Sequence, residues 1–221
     1  MPADNPLSLE RNIAVVVQEA KKSLKQILSD SGTILYSSCD TLTPGRYYFL
    51  GLNPGGSDEG TDRIKQSLEN LSKWKKNAYL DQSWRCQPGT HPLQQNFKVL
   101  FKELVKDPAS VCASNLIFRR SVNERGAGGW QMAELCWPVH EVILGIVQPR
   151  VIITFGRLPF DFIQGKLNGT VADELPTKHR RWPWRYSVLP SGVKLVGLPH
   201  LSRYALRYDH DVIKTIKERV G

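Results

Sequence analysis

Leu9, Ile13, Val16, Val17, Ala20, Leu24, Ile27 and Leu28 recur at helical spacing, lysines fill the opposite face, and Ser8 stands where a cap would start the helix. The pattern predicts a helix packed on a core with no chemistry of its own. Turn residues Thr43, Pro44 and Gly45 then lead into Tyr47, Tyr48, Phe49 and Leu50, a continuous apolar run of the kind found in strands buried on both faces. The run stops at Gly51, Leu52, Asn53, Pro54, Gly55, Gly56. A polar stretch over 61–76 predicts a helix with a basic exposed face, and Phe97, Leu100, Phe101 and Leu104 make the apolar stripe of a helix over 94–105.

Residues 111–116 read as a second strand, and 131–147 as helical, with Pro138 expected to begin a second helical piece. Residues 151–155 form a third buried strand closed by Gly156, with a helix following through Phe160 and Phe162. Two short strands, 186–189 and 194–198, flank a turn at Pro190, Ser191 and Gly192, and a last helix covers 209–219. Strands alternating with helices predict a three-layer α/β fold on a central, mostly parallel sheet, with function at the strands' carboxyl ends. A chain of 221 residues, 41% hydrophobic and without repeat or linker, suits one core, so 1–221 reads as a single domain.

Charge narrows the class of partner. Lys and Arg number 30 against 21 Asp and Glu, a net charge of +9 that concentrates polyanions such as nucleic acid around the chain. Charge alone names no function. Cys39, Cys86, Cys112 and Cys136 are widely spaced, without a C-x-x-C pair or zinc-finger histidines, so reduced structural thiols are expected and no iron–sulfur cluster or other metal. The first residues lack a basic start with an apolar run, and no apolar stretch approaches the ~20 residues that span a bilayer. A soluble intracellular protein is expected, in the cytoplasm or nucleoid of a bacterium or the nucleus of a eukaryote.

Three polar motifs stand at predicted strand ends: GLNPGG at 51–56, SNLIFRRS at 114–121 and GLPHLSR at 197–203. Strand ends of an open α/β sheet converge on one crevice, so Asn53, Asn115 and His200 are expected around one ligand. Taken singly, each has a bland reading: Asn-Pro-Gly is an ordinary turn, Asn115 could serve a neighbouring loop, and His200 could be structural.

GLNPG resembles the first motif of the mismatch-specific and single-strand-selective branches of the uracil-DNA glycosylase superfamily. SNLIFRRS resembles the second-strand motif, GLPHLSR the C-terminal motif, and THPLQQNFKVLF at 90–101 is a softer match to the helix after the first motif. The resemblance implies that Asn53 positions the attacking water, Asn115 faces the base edge with Leu52, Pro54 and Gly55 around it, and His200 contacts the departing base. It also implies that Leu201, Ser202, Arg203 and Arg207 probe DNA. Arg119 and Arg120, beside this site, are expected on phosphates. No metal or cofactor is implied; the partner is single-stranded or duplex DNA carrying a damaged base, and the protein is expected to act as a monomer.

The chemistry of the residues agrees with those roles. Breaking an N-glycosidic bond needs a held water and a donor at the departing base; an amide at 53 can hold water but is no strong base. No lysine stands in a motif for a Schiff base, so a monofunctional enzyme is expected.

Two departures stand out. The histidine motif, usually His-Pro-Ser, is Pro199-His200-Leu201-Ser202, and the aromatic ring expected about a dozen residues after position 53 is replaced by polar sequence, which leaves Tyr79 and Trp84 as candidates to stack on the base. The segment 178–186, KHRRWPWRY, either meets nucleic acid or is a basic loop pinned by Trp182 and Trp184. The competing functions are a non-catalytic nucleic-acid-binding protein on the same fold and a small-molecule enzyme using 51–56 as a phosphate cradle. The second lacks both G-x-G-x-x-G and G-x-x-x-x-G-K-[ST].

Overall fold

The computed structural model describes residues 6–56, 62–105, 107–123, 125–170, 172–178 and 183–221. Alternate side chains along each central strand enter different cores, as the two-residue period of a strand requires. In β1 (Tyr47–Gly51), Tyr48 and Leu50 join one core while Tyr47 and Phe49 join the other. In β3 (Val151–Phe155), Ile152 faces the first core and Val151, Ile153 and Phe155 the second. Helix α1 (Pro6–Ser23) and α5 (Gly129–Val147) pack on the first face with α6 (Arg157–Lys166). Helix α4 (Pro92–Leu104) and α7 (His210–Val220) pack on the second, giving the three-layer α/β/α arrangement.

The sheet has six strands in the order β2-β1-β3-β6-β5-β4. Strands β2 (Cys112–Asn115), β1, β3 and β6 (Lys194–Leu198) run parallel, and β5 (Trp184–Val188) and β4 (Asp173–Leu175) add an antiparallel edge. From β1 the chain crosses outward to β2 and then back over to β3. The crossover helices α4 and α5 consequently lie on opposite faces, which makes the carboxyl end of β1 a topological switch point.

Several expected boundaries shift. The first helix begins at Pro6, so Ser8 lies inside its first turn and is not the cap, and a short 3-10 turn at Lys25–Ile27 carries the remaining apolar stripe. The 61–76 stretch is not one helix: it holds α2 (Ile64–Glu69) and a 3-10 turn at Leu71–Lys73, with Thr61 outside the described residues. Pro138 does not start a new piece. It sits inside continuous α5, where one missing N–H is outweighed by burial of Ala133, Cys136, Trp137, Val139, His140 and Ile143 around it. Among the described residues, β4, a single helical turn α3 (Ala78–Asp81) capped by Asn77, and 3-10 turns at Cys39–Thr41, Pro108–Ser110 and Leu206–Tyr208 were not anticipated. Strand β5 begins two residues before the expected start, at Trp184.

Candidate active site

Asn115 closes β2, and its pairing partner Gly51 closes β1, so these two residues face each other at one edge of the sheet. The backbone continues that pairing outward, with Leu116 N–H donating to Gly51 O at 2.9 Å and Ile117 N–H to Leu52 O at 2.8 Å. Asn53 follows two residues past β1 and His200 two residues past β6, with β3 between those strands. Two strand spacings are about 10 Å. All three motifs therefore open on the same end of the sheet.

Gly51 is required by close approach. A Cβ there would stand 2.5 Å from Asn115 Oδ1 and 2.6 Å from Phe155 Cζ, so any other residue would displace both. The Asn115 side chain is buried, and among the described residues no acceptor stands in hydrogen-bonding geometry to its Nδ2, although the Tyr36 hydroxyl lies close enough for the amide to influence it. A buried amide without a partner costs about 1–3 kcal/mol unless a water or a ligand supplies one, and Ser31 Oγ, Trp74 Nε1 and Asn77 Nδ2 are in the same condition elsewhere among the described residues. Arg120 Nε at the same edge is likewise buried without a partner, while Nη1 donates to Gly55 O. Tyr36 completes this corner: burial pushes its hydroxyl pKa up, with the Arg120 charge and the Asn115 amide opposing the shift, so it stays a neutral donor.

Asn53 is held by its nitrogen. Nδ2 donates to Pro54 O at 2.8 Å, Ser121 Oγ at 3.0 Å and Ser121 O at 3.2 Å. Those bonds fix the amide orientation, and among the described residues its carbonyl oxygen takes none. Ser121 itself is fixed by Ser121 N–H to Pro54 O at 3.1 Å and by Oγ to Asn123 O at 2.6 Å.

His200 is exposed, with its ring edge-on to Phe155 at 5.5 Å and 89°. The Ser202 backbone N–H reaches its Nδ1 at 3.3 Å, with Ser202 Oγ at 2.8 Å. A backbone N–H can only donate, so Nδ1 accepts and the proton of the neutral ring is on Nε2. Rings run on from there: Phe155 stacks on Phe49 at 5.2 Å, Phe49 meets Tyr79 at 5.3 Å, and Trp84 lies 5.6 Å from Tyr79 and 6.2 Å from Tyr36.

Comparison with models of known protein families and with curated proteins finds no match.

Other expected contacts are placed differently. Leu201 is fully buried in the second core, so it is corrected from a DNA-probing residue to a core residue; only Ser202 and Arg203 of that turn are exposed. Tyr79 is buried with its ring stacked on Phe97 at 4.6 Å, which leaves half-buried Trp84, whose Nε1 donates to Gln82, as the outer ring of the pair. Arg119 is occupied within the protein, donating to Gly126 O at 3.0 Å and pairing with Asp30 at 3.7 Å. Arg207 lies over the exposed ring of Tyr208 at 4.6 Å. In the KHRRWPWRY segment Trp184 is buried in β5, while Trp182 lies outside the described residues. Leu52 is half-buried, Pro54 buried and Gly55 exposed around the Asn53 turn, and Gly56 has φ 109°, a conformation that favours glycine.

Sequence reasoning missed Tyr36, Phe155 and Ser121 as members of this corner. Ser121 is the last residue of the second motif and Phe155 the last of a predicted strand, so both carried a positional signal; Tyr36 carried none. The four cysteines are free, and burial pushes the Cys112 and Cys136 thiols up to about 12, which keeps them unreactive. Among the described residues no three His, Cys, Asp or Glu side chains group to hold a metal ion, and no helix is long and apolar enough to cross a membrane. A cavity of about 570 Å³ between α1 and α5, lined by Glu19, Lys22, Ser23, Pro138, Glu141 and Val142, contains none of the motif residues.

Proposed function

We propose that this chain is a monofunctional DNA glycosylase of the uracil-DNA glycosylase superfamily, hydrolysing the N-glycosidic bond of uracil or a related deaminated base. The observation that carries the reading is the unpartnered amide of Asn115, buried beside Gly51 at the strand edge that also bears Asn53 and His200. An extruded keto base supplies what that amide lacks: a carbonyl oxygen for Nδ2, with a ring N–H for Oδ1. Cytosine presents an amino group at that position and would set donor against donor.

In this reading the carbonyl of Asn53 holds a water at the sugar carbon without removing its proton strongly. Nε2–H of His200 donates to the oxygen of the departing base as negative charge develops there. The arrangement stabilises a leaving anion and leaves the water to attack an already cationic sugar, so hydrolysis proceeds without a strong base. DNA is the partner and no cofactor enters.

Uracil-, hypoxanthine- and mismatched-thymine oligonucleotides, single-stranded and duplex, test this by alkali-labile sites. The expected result is cleavage at the modified position of at least one substrate, and none when cytosine occupies it. DNA binding without base release would replace the reading with a non-catalytic nucleic-acid-binding protein. Nucleotide binding without DNA affinity would replace it with a small-molecule enzyme.

A further inference from the structure

The softer sequence match at 90–101 contains an asparagine that the site above does not use. Asn96 lies on α4, is fully buried, and spends its whole hydrogen-bonding capacity on the segment that follows His200. Its Nδ2 donates to Leu201 O at 2.7 Å and Tyr204 O at 2.8 Å; its Oδ1 accepts from Arg207 N–H at 2.9 Å and Arg207 Nη1 at 3.5 Å. The partners lie 105, 108 and 111 residues away in sequence, so no local rule produces this arrangement.

We propose that Asn96 is the positioning residue that sets the His200 imidazole, an inference that rests on the glycosylase reading for its catalytic consequence. The 200–207 segment is a tight turn, with Arg203 and Tyr204 N–H both donating to His200 O at 2.9 Å, so wherever Leu201 and Tyr204 are pinned the His200 backbone must follow. The Ser202 contacts on Nδ1 then orient the ring. Leu201, directly after the histidine, is the anchor: its side chain is in the core and its carbonyl is on Asn96. The same helix carries Phe97, on which Tyr79 stacks beside Trp84. One rigid element thus registers the ring wall and the leaving-group donor against each other, as a preorganised site requires.

The test combines Asn96→Ala with Asn96→Asp, which keeps the acceptor and loses both donors, on the full chain. Amide hydrogen exchange reads the pin without reference to activity. Exchange at least about tenfold faster, confined to 201–208, supports it; unchanged exchange there, or acceleration spread through α4 and the second core, overturns it. Single-turnover base release reads the consequence: a loss of about tenfold or more, with affinity for undamaged duplex held within about threefold, and almost no further loss when His200→Ala is added. Losses that multiply with those of His200→Ala overturn the positioning role. If the wild-type chain releases no base from any substrate, the glycosylase reading falls, and the exchange result alone decides whether Asn96 pins the turn. If Asn96→Ala does not fold, Asn96→Asp carries both arms.

Discussion

At the residue scale, the proposed site rests on Asn115 and Gly51, whose side-chain amide and missing Cβ meet at the ends of β2 and β1. Among the described residues the buried Asn115 nitrogen has no acceptor in hydrogen-bonding geometry, so Asn115→Leu, similar in size and free of polar atoms, is expected to raise the urea midpoint by the equivalent of about 1 kcal/mol while abolishing base release. A structural amide would lose stability on the same change. Gly51→Ala is the opposite case: its Cβ would collide with Asn115 Oδ1 and the Phe155 ring, and a loss of about 1–3 kcal/mol in urea unfolding is expected together with loss of activity. The placement of Asn53 and His200 just past strand ends was legible from sequence because each follows an apolar run. Leu201 was misjudged because it is held against α4, whose Asn96 lies 105 residues away in sequence, and a leucine after a histidine carries no sign of which side it faces. Asn96 was invisible for the same reason.

At the element scale, the sheet's carboxyl edge is braced by buried polar groups. Beneath Asn115, His140 of α5 donates Nε2–H to Leu116 O at 3.0 Å, and Nδ1 accepts from Tyr48 O–H at 2.8 Å. Burial lowers the His140 pKa from 6.5 to about 4, so the unfolded chain takes up a proton at a pH where the folded chain does not. Its contribution to stability is therefore intact above about pH 6.5 and lost as the pH falls toward 4, by up to about 3 kcal/mol. His140→Gln is expected to be less stable than wild type at pH 7 but to lose less on going to pH 4.5, as read from urea midpoints. Asp209 acts lower. Burial alone would raise its pKa, but the Tyr204 hydroxyl and the Lys178 and Val212 amides outweigh that and leave it below 3.8, so its contribution is lost only as the pH falls below that value. Strands β1 and β3 were readable because burial on both faces demands unbroken apolar runs, whereas β2, Cys112-Ala113-Ser114-Asn115, is buried but half polar and was marked by the apolar residues flanking it. Strand β4, Asp173-Glu174-Leu175, was not: it is a largely exposed edge held by pairing with β5, and its sequence resembles a loop.

At the scale of the whole molecule, the net charge of +9 and a site open at one sheet edge predict DNA binding that weakens with salt. Arg203, exposed in the turn after His200, is expected to contact phosphate, so Arg203→Ala should reduce the slope of log affinity against log salt by about one. Arg119→Ala should leave that slope unchanged, since the guanidinium is occupied by Asp30 and Gly126.

In the proposed reaction Asn53 and His200 act from two strands on one extruded base between them. Single-turnover release of free base from a uracil-containing oligonucleotide, measured for wild type, Asn53→Ala and His200→Ala at saturating enzyme, tests it most directly. The prediction is a loss on the order of 10²-fold for each variant, with undamaged duplex bound as by wild type. Release by either variant at the wild-type rate would contradict it.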